Sequence, residues 1–189
     1  MISRYSDGLL SSAIFSSDSR VPMSMPVQDD VNNRSQTYSI ARGVQRCASC
    51  AQLTPVVGLV LPPDHETREM REAEESAAPE VWEAAEAGAL LFFIEYLPQA
   101  VQNRVHELSQ HYRLDDGEPG EPRYWMNHCS FCGAPQGDLD LYCEPEGAFS
   151  PISEQAAASI RLREVLEPFE AQAGGYTLAP EFLTARNIR

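Results

Sequence analysis

The stretches Cys47-Ala48-Ser49-Cys50 and Cys129-Ser130-Phe131-Cys132 decide the architecture of this chain. In a C-x-x-C turn both sulfurs point the same way, so two such turns brought together supply four thiolate ligands, the set of a closed tetrahedral zinc site. The spacing therefore predicts one structural metal ion bound by Cys47, Cys50, Cys129 and Cys132. Zinc is the expected ion, and iron, which accepts the same four thiolates, stays open as the less favoured alternative.

A redox dithiol is the rival interpretation of the cysteine pairs. A thioredoxin-type C-x-x-C begins a long helix, whose dipole lowers the thiol pKa. Here Thr54-Pro55 follows the first pair and Gly133-Ala134-Pro135 follows the second, so neither pair can begin such a helix. The fifth cysteine, Cys143, is interpreted as a spare buried thiol. An odd count with four cysteines at metal spacing favours a reducing compartment over a disulfide scaffold.

The charge of the chain limits its partners. Its 189 residues include 14 basic and 28 acidic ones, for a formal net charge of −14. All the basic residues are arginine, which excludes a phosphate-loop lysine and a Schiff-base lysine. Such a chain repels a phosphate backbone unless its arginines cluster, so nucleic acid is disfavoured as a partner. The best arginine cluster is Arg42, Arg46 and Arg123 beside the cysteine pairs, and the acidic residues near it in sequence oppose it: Glu118, Glu121, Asp138 and Asp140.

Composition divides the chain into three parts. Residues 1–40 are rich in serine and poor in large apolar groups, which predicts a disordered N-terminal tail, with Met1, Met23 and Met25 all open as the true start. Residues 41–170 are predicted to form the zinc-ribbon domain, with an acidic segment inserted at 64–88. Residues 171–189 are predicted to be a loosely packed C-terminal tail.

Hydrophobic patterning predicts an α+β fold: a small antiparallel sheet with a split four-cysteine zinc ribbon at one end and two or three packed helices. Strands are expected over 53–61, 90–96 and 124–128. Helices are expected over 80–87, after Pro98 and over 153–166, the middle one burying Val101, Val105, Leu108 and Tyr112. The two cysteine pairs meet because the strands over 53–61 and 124–128 are expected to be neighbours. No apolar run is long enough to span a bilayer, and the expected location is cytoplasmic.

The stretch Tyr-Trp-Met-Asn-His-Cys-Ser-Phe-Cys-Gly-Ala-Pro-Gln-Gly-Asp over 124–138, followed by Glu-Pro-Glu-Gly-Ala-Phe over 144–149, carries a resemblance. It resembles a group of uncharacterised bacterial proteins with a split double-CxxC zinc ribbon, in which a Thr-Pro-Val-Val-like strand also follows the first pair. The resemblance covers about residues 45–152. It implies a bacterial cytoplasmic protein with one shared zinc site, and it assigns no activity.

Function follows from these features only as a set of expectations. The leading one is a non-catalytic, zinc-stabilised interaction or adaptor module with a protein partner, and no catalytic or cofactor-binding residue is assigned. The first alternative is a metal-dependent nuclease or hydrolase of HNH-like type, suggested by Asp64-His65 and Asn127-His128. Residues 133–150 lack the histidine and asparagine that such a finger needs after its second cysteine pair. The second alternative is a nucleic-acid-binding zinc ribbon.

Overall fold

The structure is a computed structural model that describes residues 31–68, 81–117 and 122–179. Within these ranges the chain forms eleven strands and three short helices. In chain order they are β1 (Asn33–Ser35), β2 (Tyr38–Arg46), β3 (Leu53–Leu61), β4 (Glu66–Thr67), β5 (Glu83–Ala84), β6 (Ala89–Tyr96), α1 (Gln99–His106), β7 (Tyr112–Asp115), β8 (Tyr124–His128), β9 (Pro135–Gln136), α2 (Asp138–Tyr142), α3 (Glu154–Ala157), β10 (Arg161–Val165) and β11 (Phe169–Leu178).

The strands form one sheet in which every described pair is antiparallel. Their order is β10-β2-β3-β6-β11-β1-β4-β5, and β8 joins β7 and β9 to β6. The sheet is thus larger than the α+β prediction implied. The three helices have eight, five and four residues, so they cover the sheet without forming a layer of their own.

Strand β3 is apolar on both faces because both faces are covered. Val57, Leu59 and Leu61 pack in one buried cluster with Val101 and Val105 of α1. The alternate residues Val56 and Val60 pack in a second cluster with side chains from the α2 region and beyond: Leu141, Tyr142, Phe149 and Ile160. This alternation confirms the predicted buried strand and places α1 on one face of the sheet and α2 on the other.

The strands extend past the domain limits expected at 41 and 170. Strand β1 and the start of β2 lie within 33–40, and β11 runs to Leu178. Tyr38, Ile40, Ala171 and Ala173 are all part of the main buried cluster. Average composition did not predict these strands, because a short alternation of apolar and small residues changes the mean composition of a serine-rich or glycine-rich stretch very little. The rest of both expected tails, 1–30 and 180–189, lies outside the described residues.

The helix predictions were wrong in extent. Only α3 forms within the expected helix at 153–166, and β10 follows it and pairs with β2. The expected helix at 80–87 contains β5 instead, although Glu80 lies outside the described residues. Helix α1 ends at His106, so Leu108 lies beyond it and Tyr112 begins β7. In each case pairing with a neighbouring strand overrides a weak helical periodicity.

Strand β6 is irregular towards its end, and two polar side chains satisfy the backbone groups involved. Phe93 has a φ of 51°, and the register with β11 shifts between Gln172 and Ala173. The Asn32 side-chain amide donates to the carbonyl of Ala173 at 2.9 Å and accepts from its N–H at 2.9 Å. The N–H of Phe93 donates to a carboxylate oxygen of Asp138 at 2.8 Å. These side chains thereby replace the backbone hydrogen bonds between strands that are lost at such an irregularity.

Asp138 makes stability depend on pH. Burial raises the pKa of its carboxyl to about 7, against the opposing hydrogen bond from Phe93. Its pKa in the unfolded chain is about 3.9. The folded state therefore binds the proton more tightly, and the stabilisation present below about pH 4 is lost as the pH rises towards 7.

The change Asp138→Asn removes this titration while keeping an acceptor for the Phe93 N–H. We expect the variant to be more stable than the wild type by about 2–4 kcal/mol at pH 8, and the difference to vanish near pH 4. Urea unfolding of both proteins across this range measures it. Parallel stability curves for the two proteins would contradict the assignment.

Candidate metal centre

Two tight turns hold the four paired cysteines. Cys47 and Cys50 lie in the turn between β2 and β3, and Cys129 and Cys132 lie in the turn between β8 and β9. In the first turn the N–H of Cys47 donates to Gln52 O at 2.9 Å, and the N–H of the residue after Cys50 donates back to Cys47 O at 2.8 Å.

The second turn repeats this geometry. The N–H of Cys129 donates to Ala134 O at 2.8 Å, and the N–H of Gly133 donates to Cys129 O at 2.9 Å. The residue after the second cysteine has positive φ in both turns, 59° at Ala51 and 77° at Gly133. Glycine adopts this conformation at little cost and alanine does not, so only the second turn indicates its shape in the sequence.

The four sulfurs are spaced as a tetrahedral metal site requires. All four lie within 4.8 Å of one another, and Cys47 Sγ to Cys132 Sγ and Cys50 Sγ to Cys129 Sγ are both 3.7 Å. A tetrahedron with zinc–sulfur bonds of about 2.3 Å has sulfurs about 3.8 Å apart. A disulfide needs about 2.05 Å, and all five cysteines are free. The predicted ligand set is therefore brought together, and its geometry fits zinc.

The thiols in this cluster differ in pKa. The backbone N–H of Cys50 lowers the pKa of the Cys47 thiol to about 6, against the opposing effect of burial. The backbone N–H of Gln52 also favours the Cys50 thiolate, but burial and the three neighbouring cysteines outweigh it and raise its pKa to about 12. Four thiols this close cannot all ionise unless a cation balances their charge. A bound divalent ion supplies that balance.

The side chain of Asn127 joins the strands that carry the two turns. It accepts from the N–H of Val57 at 2.9 Å and donates to the carbonyl of Val57 at 2.8 Å. The N–H of Ser130 also donates to Thr54 Oγ1 at 2.9 Å. Strands β3 and β8 are thus neighbours, as expected, but side chains connect them and the backbones do not pair in the described ladder. Nothing in the sequence around Asn127 indicates this role.

The histidines of the HNH-like interpretation contact groups other than the cysteine sulfurs. His128 is buried, and its Nε2 lies 2.9 Å from Asp115 Oδ2. The Nδ1 of His65 lies 2.8 Å from Pro62 O. Cys143 is exposed and stands outside the sulfur cluster, so it is spare, but it is not buried as predicted.

Comparisons of the chain with protein-family models, with curated proteins and with solved structures found no match. None of the helices within 31–68, 81–117 and 122–179 is long and apolar enough to cross a membrane. The fold and the four-cysteine cluster therefore carry the functional argument.

Proposed function

We propose that this protein is a non-catalytic interaction or adaptor module whose fold is stabilised by one structural zinc ion. The observation that carries the proposal is the cluster of four cysteine sulfurs at tetrahedral spacing. Four cysteine ligands close the shell of a zinc ion, whereas a catalytic zinc keeps one position for water or substrate. The ion's contribution is then to hold the β2–β3 and β8–β9 turns together.

The contacts of Asn127 and His128 do not favour the HNH-like alternative. Both polar ends of the Asn127 amide are bound to the backbone of Val57, and the His128 ring contacts Asp115 and backbone carbonyls. His65, the other histidine of that alternative, is buried, and its Nδ1 lies 2.8 Å from Pro62 O. These side chains make contacts that stabilise the fold, so a hydrolase would need other residues for catalysis.

A protein is the expected partner. The net charge of −14 opposes the counterion release that drives binding to nucleic acid. We place the protein in a bacterial cytoplasm, where reduced thiols bind zinc, on the strength of its five free cysteines and of the family resemblance.

Cross-linked affinity capture from the native host tests the proposal. The tagged wild type and the Cys143→Ser variant should recover the same partner protein in near-stoichiometric amounts, whereas a Cys129→Ser/Cys132→Ser variant should lose it. Failure of the wild type to recover any protein above the zinc-free variant would contradict the proposal. So would metal-dependent hydrolysis of DNA or of phosphate esters by the purified zinc-loaded chain.

A further inference from the structure

The half of the β2–β3 hairpin that lies next to its turn exposes a surface of basic and aliphatic side chains. Tyr38, Ile40 and Val57 on this face of the sheet are buried in the main cluster. Continuing along the same face, the side chains become exposed, as for Val44 at 59% and Leu53 at 57%. We call this surface the hairpin face, and it consists of Arg42, Val44, Arg46, Leu53, Pro55 and, across from Arg42 on β10, Arg161.

Among the described residues, the arginines of the hairpin face have no acidic partner. Arg42 and Arg161 lie directly opposite each other on adjacent strands, an arrangement in which like charges repel. Arg46 donates to the carbonyl of Ala51 at 2.7 Å. Within the described parts of the chain, no carboxylate lies within ion-pair distance of these three guanidinium groups.

Other arginines of the molecule are neutralised. Arg104 pairs with Glu107 and Glu167, and Arg163 pairs with Glu107. Arg123, expected from the sequence to join Arg42 and Arg46, pairs with Asp116 at 3.0 Å instead. In a chain of net charge −14, three arginines on one face with no ion-pair partner in the described part of the chain are a marked departure from the average surface.

One edge of strand β2 is also unpaired beyond Arg42 within the described parts of the chain. Arg161, the first residue of β10, pairs with Arg42, and β10 does not extend along β2 beyond it. Residues 43–46 therefore pair with β3 alone among the described strands. The N–H and C=O of Val57 are bound to Asn127, which lies away from β2, so Arg42 and Val57 form a pair without mutual hydrogen bonds. Backbone groups alternate in direction along a strand, and those of Arg42, Val44 and Arg46 therefore point outward. No described residue hydrogen-bonds the outward groups of Val44.

A groove runs beside the open edge. Its volume is about 420 Å³, and its lining is mixed: it includes the aliphatic Val44, Pro151 and Ile152, the polar Ser153 and Ser159, and Glu146 as its one charged residue. Ile152 is 71% exposed. The groove can therefore accept an aliphatic side chain of a chain that lies along β2.

We propose that the β2 edge at residues 43–46 binds an extended acidic segment of a partner protein as an added strand. Backbone hydrogen bonds to Val44 and Arg46 supply affinity, carboxylates of the segment reach Arg42, Arg46 and Arg161, and one aliphatic side chain enters the groove. The inference rests on the proposed function as an interaction module, whose docking surface it names. Nucleic acid fits the surface less well, because the hairpin face has no aromatic side chain on which a base can stack.

Fluorescence anisotropy of the zinc-loaded full chain tests this surface. The probe is a labelled synthetic peptide that alternates glutamate and valine, and the controls are a lysine–valine peptide, a backbone N-methylated glutamate–valine peptide and a single-stranded oligonucleotide. We expect saturable, salt-sensitive binding of the glutamate–valine peptide alone. The variant Arg42→Ala/Arg161→Ala should weaken this binding roughly tenfold. It removes two exposed charge pairs, and each contributes about half of the free energy that a factor of ten requires. Arg113→Ala, at an exposed arginine of β7, should leave it unchanged.

Each other outcome overturns the proposal. No saturable binding, or equal binding of the N-methylated peptide, would exclude strand addition. Oligonucleotide binding that Arg42→Ala/Arg161→Ala abolishes would assign the surface to nucleic acid. In affinity capture, a partner recovered equally by wild type and Arg42→Ala/Arg161→Ala would refute this surface while leaving the proposed function standing, whereas a wild type that recovers no partner would refute the proposed function.

Discussion

Replacing Cys132 with serine should remove the zinc ion and unfold the end of the sheet that carries both turns. Cys132 Sγ lies 3.7 Å from Cys47 Sγ, and losing it opens the four-sulfur shell. Apparent zinc binding contributes about 10–16 kcal/mol in small structural sites. The whole stability of a typical domain is about 5–15 kcal/mol. A loss of more than about 5 kcal/mol is therefore expected, large enough to leave the variant without a cooperative melt at room temperature.

Cys143→Ser is a matched control for this change. Cys132 and Cys143 are both exposed, so serine costs either site little packing, and the two differ in that only Cys132 belongs to the sulfur cluster. Cys143→Ser should keep its zinc and melt within a few degrees of the wild type. Thermal melts with zinc analysis of the same samples measure both quantities. Equal damage from the two substitutions would show that the ligands are assigned wrongly.

The second large effect is expected from Asn127→Ala. This change leaves the buried N–H and C=O of Val57 without their partners, at about 1–3 kcal/mol for each group. The stability of the zinc-loaded protein should fall by about 2–6 kcal/mol. Its zinc affinity should fall as well, because Asn127 joins β3 to β8 and so sets the distance between the two cysteine turns.

Asn32→Ala separates the two effects. Asn32 makes the same pair of backbone hydrogen bonds, to Ala173 of β11, and it belongs to neither cysteine turn. We expect it to lower stability by a similar amount while zinc affinity stays at the wild-type value. Urea unfolding and competition with a chromophoric chelator measure the two quantities. If Asn127→Ala changed stability alone, the role of Asn127 in positioning the turns would be wrong.

The sequence predicts the metal cluster better than the sheet that holds it. The C-x-x-C spacing fixes a local turn, and four soft ligands converge wherever two such turns meet, so the cluster is readable from a few residues. Strand β3 is readable too, because Val56, Val57, Leu59, Val60 and Leu61 form a continuous apolar run.

What the sequence hides depends on contacts between distant residues. Strand β10 has one buried residue, Val165, and becomes a strand because the edge of β2 pairs with it. The sequence alone does not distinguish Asn127 from other polar residues near a cysteine, because its role depends on the backbone of Val57 on the distant strand β3. Ala51 carries no sign of its positive φ, since the turn imposes a conformation that alanine does not favour.

The metal content of the protein purified without added metal shows whether one zinc ion holds this fold together. Elemental analysis should find one zinc per chain, and removal of that zinc by a strong chelator should abolish the cooperative unfolding transition. A chain that is fully folded and cooperative with no bound metal would contradict the account, and one equivalent of iron in place of zinc would contradict the assignment of the ion.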